Sequence, residues 1–318
     1  MRNAARINEA AQIQTAQIQT AQIQTAQIET AETDIDTDTD TVPRDDTMPT
    51  NGAVPGERGS KPSGAEHGEQ PAGARYATGR LASAPGGSDP HVEAEPAILY
   101  FGTPVVLIST LNPDGTPNLA PMSSCFWLGW RAVLGMNRSS QTTQNLLRTG
   151  ECVLNLPSVR EADAVDRLAR TTGAREVTPA KLSKGYRFEP DKFGVSGLTQ
   201  LPARTVAPPR VAECPVNLEA VLEAADPLAA DDERLRGSIM KFEVRIQRVH
   251  IHPEIAVPGR EDRIDPDRWR PLIMSFQQFY GLGPQVRPST LAQIDEELYR
   301  SPDTERARNA ALREPAAA

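Results

Sequence analysis

"TPVVLISTLNPDGTPNLAPMSSCFW", residues 103–127, decides the fold. The run from Val105 to Thr110 is apolar and β-branched, the composition of a buried strand. Asn112-Pro113-Asp114-Gly115 follows it. Proline pre-sets φ at the first central turn position and glycine accepts positive φ, so the chain reverses there. Residues 116–127 then return antiparallel, and "RAVLGMN", 131–137, reads as a third strand.

Working outward, "NRSSQTTQNLLRTG", 137–150, predicts a short helix, with hydroxyl residues capping its start, Leu146 and Leu147 inside it, and Gly150 at its end. "ECVLNLP", 151–157, is a fourth strand. "SVREADAVDRLART", 158–171, carries Val159, Ala162, Val165, Leu168 and Ala169 near helical spacing, as in a surface helix. Residues 185–209, "GYRFEPDKFGVSGLTQLPARTVAPP", read mostly as loop. "RVAECPVNLEAVLEA", 210–224, and "GSIMKFEVRIQRVHIHPE", 237–254, are long strands, and "WRPLIMSFQQFYGLGP", 269–284, closes the domain. The reading is mainly β with α decoration: about six antiparallel strands in a small barrel.

Composition sets the domain limits. Residues 1–92 hold almost no aromatic side chains, whereas all three Trp lie beyond them. "AQIQT" occurs three times and is followed by "AQIET", with Ile13, Ile18, Ile23 and Ile28 five residues apart. That spacing builds an apolar stripe on neither helix nor strand. The expectation is a disordered extension over 1–92, a folded domain over 93–290, and a C-terminal helix or tail over 291–318. The extension reads as an idle tail, as translated sequence upstream of the true start, or as a partner-binding tail.

The net charge of −8 excludes general nucleic-acid binding, which needs a basic footprint. Three cysteines (Cys125, Cys152, Cys214) without a C-x-x-C pair and without a signal peptide point to a reduced, cytoplasmic setting. No apolar run reaches membrane-span length. His250 and His252 alternate on one strand face, but with only Glu254 nearby as a third donor the expectation is no metal site.

The helix beginning near Ser140 carries the chemistry. Its start offers unpaired backbone N–H groups and the positive end of the helix dipole, which together favour an anion. Ser139, Ser140 and Thr142 add hydroxyl donors and Arg138 adds a guanidinium fork. "APMSSCFW" supplies Ser123 and Ser124 from a facing strand. A phosphate at one end and a flat polar edge at the other is what a mononucleotide cofactor requires. Ser and Thr caps are common, so this pattern alone does not single out a phosphate, and no G-x-G-x-x-G or Walker sequence is present.

Residues 103–157 resemble the N-terminal half of the flavin reductase-like family, the FMN-binding split barrels. The likeness lies in a first strand, a D-G turn, "NLAPMSS", "SQTTQNL" with Thr142 and Asn145 in the motif's Thr and Asn places, and "RTGECVLNLP". "VRIQRVHIHPE" and "WRPLIMSFQQFYGLG" are similar to the family's later strand and closing segment, so the resemblance covers about residues 97–285. It implies a six-stranded Greek-key split barrel, a homodimer, and FMN in a groove near the subunit interface. The phosphate would sit at Arg138, Ser139, Ser140 and Thr142, with Asn145 in the motif. The isoalloxazine would sit against Pro121, Met122, Ser123, Ser124 and Cys125. It further implies hydride transfer from the C4 of NAD(P)H to flavin N5, with a monooxygenase or another acceptor taking the electrons.

Two departures stand out. Ser140 and Gln141 replace the family's frequent Lys-Asp. "MKF" occupies the place of a Gly-Asp-His-like element, putting Phe242 where a His is common. No catalytic side chain is assigned. The alternatives are an FMN-binding electron-transfer or sensor protein without robust NAD(P)H oxidation, and a split-barrel enzyme of pyridoxal phosphate or deazaflavin.

Overall fold

The structure, a computed structural model, describes residues 91–313. The readings of the AQIQT repeats and of the linker up to residue 90 lie outside them. Residues 91–96 cluster apart from the unit that begins at Ala97 and are irregular and exposed.

The unit opens with β1 (Phe101–Pro104), β2 (Val106–Leu111), β3 (Pro117–Met122), β4 (Cys125–Leu128) and β5 (Arg131–Asn137). These lead into α1 (Gln141–Thr149) and β6 (Glu151–Leu156). A mixed segment follows: α2 (Ala162–Leu168), β7 (Thr171–Thr172), α3 (Pro179–Ser183), β8 (Arg187–Phe188), α4 (Lys192–Ser196), β9 (Gln200–Leu201) and β10 (Arg210–Val211). The hairpin β11 (Val216–Pro227) and β12 (Ile239–Ile251) comes next. Then come β13 (Ala256–Val257), β14 (Arg260–Ile264), β15 (Leu272–Ser275), β16 (Gln278–Gly281) and α5 (Pro302–Arg313).

The turn after β2 forms as its residues dictate. Gly115 takes φ +82°, its N–H reaches Asn112 O at 2.9 Å, and Leu111 faces Pro117 across the hairpin. The Asp114 carboxylate accepts from Thr116 N at 3.0 Å and Thr116 Oγ1 at 2.6 Å, closing the reversal on itself.

The main sheet is antiparallel and holds seven strands in the order β3-β2-β6-β11-β12-β5-β4. Six strands were expected, and residues 116–127 account for the difference. That stretch is two strands: β3 pairs with β2 and β4 pairs with β5, at opposite edges of the sheet. Only Ser123 and Ser124 join them. Met122 to Cys125 is three Cα steps, a span of at most about 11 Å. The two edges are therefore drawn together, and the sheet rolls into a barrel with its split at this crossing.

Alternation along β2 builds two cores. Val106 and Ile108 face the barrel interior with Leu134, Leu154, Phe242 and Val244. Val105 and Leu107 face outward, against Val165, Leu168 and Phe193 of the helical segment. This is why "VVLIST" is continuously apolar: both of its faces are buried. On β12, Met240, Phe242, Val244 and Ile246 point inward in strict alternation. Phe242, at the place where the resemblance puts a His, is a fully buried core residue. Trp127 and Trp130 pack against the same interior cluster.

Glu219 on β11 is fully buried. It accepts from Arg204 N at 2.9 Å, Thr205 N and Thr205 Oγ1 at 2.6 Å, and lies 2.7 Å from His250 Nε2. Burial alone would raise its carboxyl, but these bonds outweigh it and hold the group at about 2. His252 Nε2 lies 2.9 Å from Ala212 O. His252 thus fastens the long connection before β11 directly, and His250 does so through Glu219. Helix α5 is pinned by Arg131, which reaches Asp303 at 2.8 Å and also pairs with Glu243. Among the described residues no helix is long and apolar enough to cross a membrane, and no group of three His, Cys, Asp or Glu could hold a metal.

Candidate functional site

Helix α1 begins as its sequence predicts. Ser140 is the N-cap, with φ −71° and ψ 144°, and its Oγ accepts from Thr143 N at 3.1 Å. Gly150 closes the helix at φ +71°, its N–H reaching Leu146 O at 2.9 Å. The N–H groups of Gln141 and Thr142 are left without intrahelical acceptors.

Ser140, Gln141 and Thr142 line a cavity of about 230 Å3. One wall comes from the barrel: Tyr100, Asn118, Ala120, Pro121, Met122, Ser124, Gly135, Met136 and Asn137, then Ser140, Gln141 and Thr142 of the α1 start. The other wall comes from the helical segment: Ala169, Thr171, Thr172, Gly173, Lys181, Tyr186 and Lys192. The two walls approach closely at Gly173. A Cβ there would lie 2.3 Å from Asn118 Oδ1 and 3.1 Å from Gln141 Cγ, so a larger residue would force one of the walls to shift.

The cavity thus joins five of the residues singled out from sequence: Pro121, Met122, Ser124, Ser140 and Thr142. The other five lie elsewhere. Cys125 is buried in the barrel core, where burial pushes its thiol up to about 12. Ser123 sits in the crossing beside it. Arg138 is exposed and lies beside Gly237, an ideal Cβ on which would be 3.4 Å from Arg138 Nη1. Ser139 folds back on Asn137, its N and Oγ reaching Asn137 Oδ1 at 2.8 and 2.6 Å. Asn145 is fully buried behind the helix, where its amide donates to Thr110 Oγ1 and Asn112 Oδ1 (both 3.0 Å) and accepts from Gln141 Nε2 at 2.8 Å. It holds α1 against the β2–β3 hairpin.

Sequence reasoning missed the second wall. Lys192 opens α4 in a segment read as loop. The helix there is five residues long, with Asp191 Oδ1 accepting from Gly194 N at 2.8 Å and Gly197 ending it at φ +71°. Asp before and Gly after were the available signals. Phe193 anchors this turn in the outer core, which carries Lys192 inward to 2% exposure. Its Nζ donates to Thr171 Oγ1 at 2.7 Å, and Thr171 in turn donates to Leu168 O at 2.8 Å. Burial lowers the ammonium to about 8.

Backbone donors, hydroxyls and an ammonium line the same cavity as Pro121, Met122 and Tyr100, a lining that suits a flat ligand bearing an anionic tail. That donor set fits a flavin phosphate.

Comparisons with known proteins agree with this architecture. The chain is 36% identical over 195 residues to the uncharacterized protein YdfE of Bacillus subtilis (strain 168), covering 61% of this chain and 90% of that protein. The fold is similar to that of flavoredoxin of Desulfovibrio vulgaris (Miyazaki F), with a TM-score of 0.51 at 19% identity, over 65% of this chain and all of that one. The flavin reductase like domain matches residues 98–283, which span β1 to β16, both cores and both walls of the cavity. The chain belongs to the flavin reductase like domain family.

Proposed function

We propose that the protein is an FMN-dependent oxidoreductase that takes hydride from NAD(P)H and delivers the electrons to a monooxygenase or another acceptor. One observation carries this reading: the α1 N-terminus and Pro121, Met122 and Ser124 line the same cavity. When bound, FMN supplies the hydride-accepting ring. The chain's own work is to bind and orient. The N–H groups of Gln141 and Thr142 and the Thr142 hydroxyl would hold the phosphate, while Pro121, Met122 and Ser124 would face the ring. Ser124 is itself placed by Tyr100, whose hydroxyl lies 3.3 Å from Ser124 Oγ, and by its carbonyl, which accepts from Gly135 N at 2.9 Å. At about 230 Å3 the cavity is smaller than the ~300–1,000 Å3 of ligand-enclosing pockets, which supports a groove completed by a second copy in a homodimer.

Phe242 favours a second reading, an electron-transfer or sensor protein that binds FMN without oxidising NAD(P)H efficiently. A fully buried phenyl offers no polar group where the family resemblance places a His. Anaerobic titration of the FMN-loaded protein with NADH and with NADPH separates the two. Bleaching of the oxidised-flavin band by either nicotinamide is the expected result. Persistence of the band with both would leave the second reading.

A further inference from the structure

The chain between β16 and α5 keeps its apolar side chains in water. From Leu282 to Arg300 every residue is exposed, among them Leu282, Val286, Leu291, Ile294, Leu298 and Tyr299. Most connections are far shorter, and long ones are ordinarily functional or slack. This arm is not slack. Two 3-10 turns shape it, Thr290–Gln293 and Glu296–Tyr299, and each is capped: Ser289 Oγ accepts from Leu291 N and Asp295 Oδ1 from Glu297 N, both at 3.1 Å. Both ends are fastened, one by the pairing of β16 with β15, the other by α5, whose Thr304 and Ala307 are buried. Arg263 also holds Glu296 at 2.8 Å. From residue 284 onward the arm lies outside the part of the chain that the family domain matches.

A socket adjoins the arm. A cavity of about 610 Å3 opens between α5 and strands β12 and β14, walled by Trp130, Val249, Ile251, Ile264, Ala307 and Ala311. It shares no lining residue with the flavin cavity. Arg300 lines it, yet Leu298 and Tyr299 just before Arg300 do not, and they stay 78% and 61% exposed. Within one copy the apolar knobs therefore leave the neighbouring apolar socket unfilled. A two-fold axis between knobs and socket would bring each copy's knobs to the other's socket, the reciprocal fit by which an isologous contact closes.

Area and charge agree with such a contact. The six apolar arm residues expose roughly 750 Å2 between them, close to the ~800 Å2 that each partner gives to a standard interface. Asp295, Glu296 and Glu297 precede Leu298, while the socket rim carries Arg308, which has no ion pair among the described residues. The rim's carboxylate, Asp262, is met by Arg260 at 3.2 Å. Within one copy Glu297 pairs with Arg300, an exposed pair that is worth little and free to exchange. We propose that the arm is an interface between two copies of this chain, with Leu298 and Tyr299 of each entering the other's cavity beneath α5. The contact does not depend on the FMN reading.

The test uses cysteine pairs in the full-length chain, whose own Cys125, Cys152 and Cys214 are buried. Leu298→Cys and Val249→Cys are made as separate proteins that differ in a short tag, then mixed and oxidised. A mixed covalent dimer on a non-reducing gel can then come only from two copies. The expected yield is at least ~10-fold above that of Leu298→Cys mixed with Leu147→Cys, an exposed position on α1, because a bound partner holds the thiol at far higher effective concentration than collision does. Leu298→Cys with Ile264→Cys should cross-link as well, which keeps the test sound where Val249→Cys folds poorly. Tyr299→Asp placed in the Leu298→Cys protein should return both yields to the collision level. Yields no higher than the Leu147→Cys control in both mixtures overturn the inference, whether the arm is then covered by residues 1–90 of its own chain, by another protein or by nothing. A dimer joined only at the flavin cavity gives that same negative result, so this failure leaves the FMN reading standing.

Discussion

Asn118 Nδ2 donates to Thr142 Oγ1 at 3.1 Å, with both side chains buried. This single bond ties β3 to the first turn of α1. It also orients the hydroxyl. Thr142 Oγ1 accepts from the amide, so its own hydrogen is turned away from Asn118 and is available to a ligand.

Replacing Thr142 with Val keeps the shape and removes the hydroxyl. FMN affinity should fall by about 5- to 10-fold, as for one hydrogen bond of about 1 kcal/mol or slightly more. Leaving Asn118 short of an acceptor should also cost about 1 kcal/mol or more of stability, read as a lower urea midpoint. An Arg138→Ala, Thr142→Ala double variant should weaken FMN retention further. Because Arg138 is exposed, Thr142 should carry the larger share.

Gly173→Ala tests the meeting of the two walls. Its Cβ would sit 2.3 Å from Asn118 Oδ1, so either Asn118 or the β7 segment must shift. Flavin affinity should drop while the isolated barrel signal in circular dichroism stays intact. Retention of wild-type affinity would mean that the two walls are free to part.

Ser140 caps α1 through its side chain. Ser140→Ala should destabilise the protein by about 1 kcal/mol, whereas Ser140→Gly should cost only a few tenths, and thermal melts of the pair measure the difference. Equal losses would mean that the side-chain bond to Thr143 contributes nothing.

Glu219 gives the protein an acid limit. Its carboxyl sits at about 2 when folded and near 4.5 when free, so folding favours the ionised form. That contribution is fully present above pH about 4.5 and is lost as pH falls through 4.5 towards 2. Melting temperature followed across this window should fall less steeply in Glu219→Gln than in wild type, although the variant starts lower because Arg204, Thr205 and His250 lose a charged acceptor.

Local signals account for what was legible. The Asn112–Gly115 turn, the Ser140 cap and the Gly150 stop are each specified within a few residues, and the structure forms all three. The break at Ser123–Ser124 is different. Both flanking pieces have strand character, and only the rolling of the whole sheet decides that they pair at opposite edges. Lys192 was illegible for a related reason. Nothing near it in sequence marks it as buried; Phe193 and the outer core impose that from a distance.

The length of the Ser123–Ser124 link acts as a girth setting. Each residue added there would release up to ~3.5 Å of slack between the strands it joins. A longer link would let the two edges part beside Pro121 and Met122, which line the cavity. A link one residue shorter would cinch the rim, so the dimensions of the opening are written in two serines.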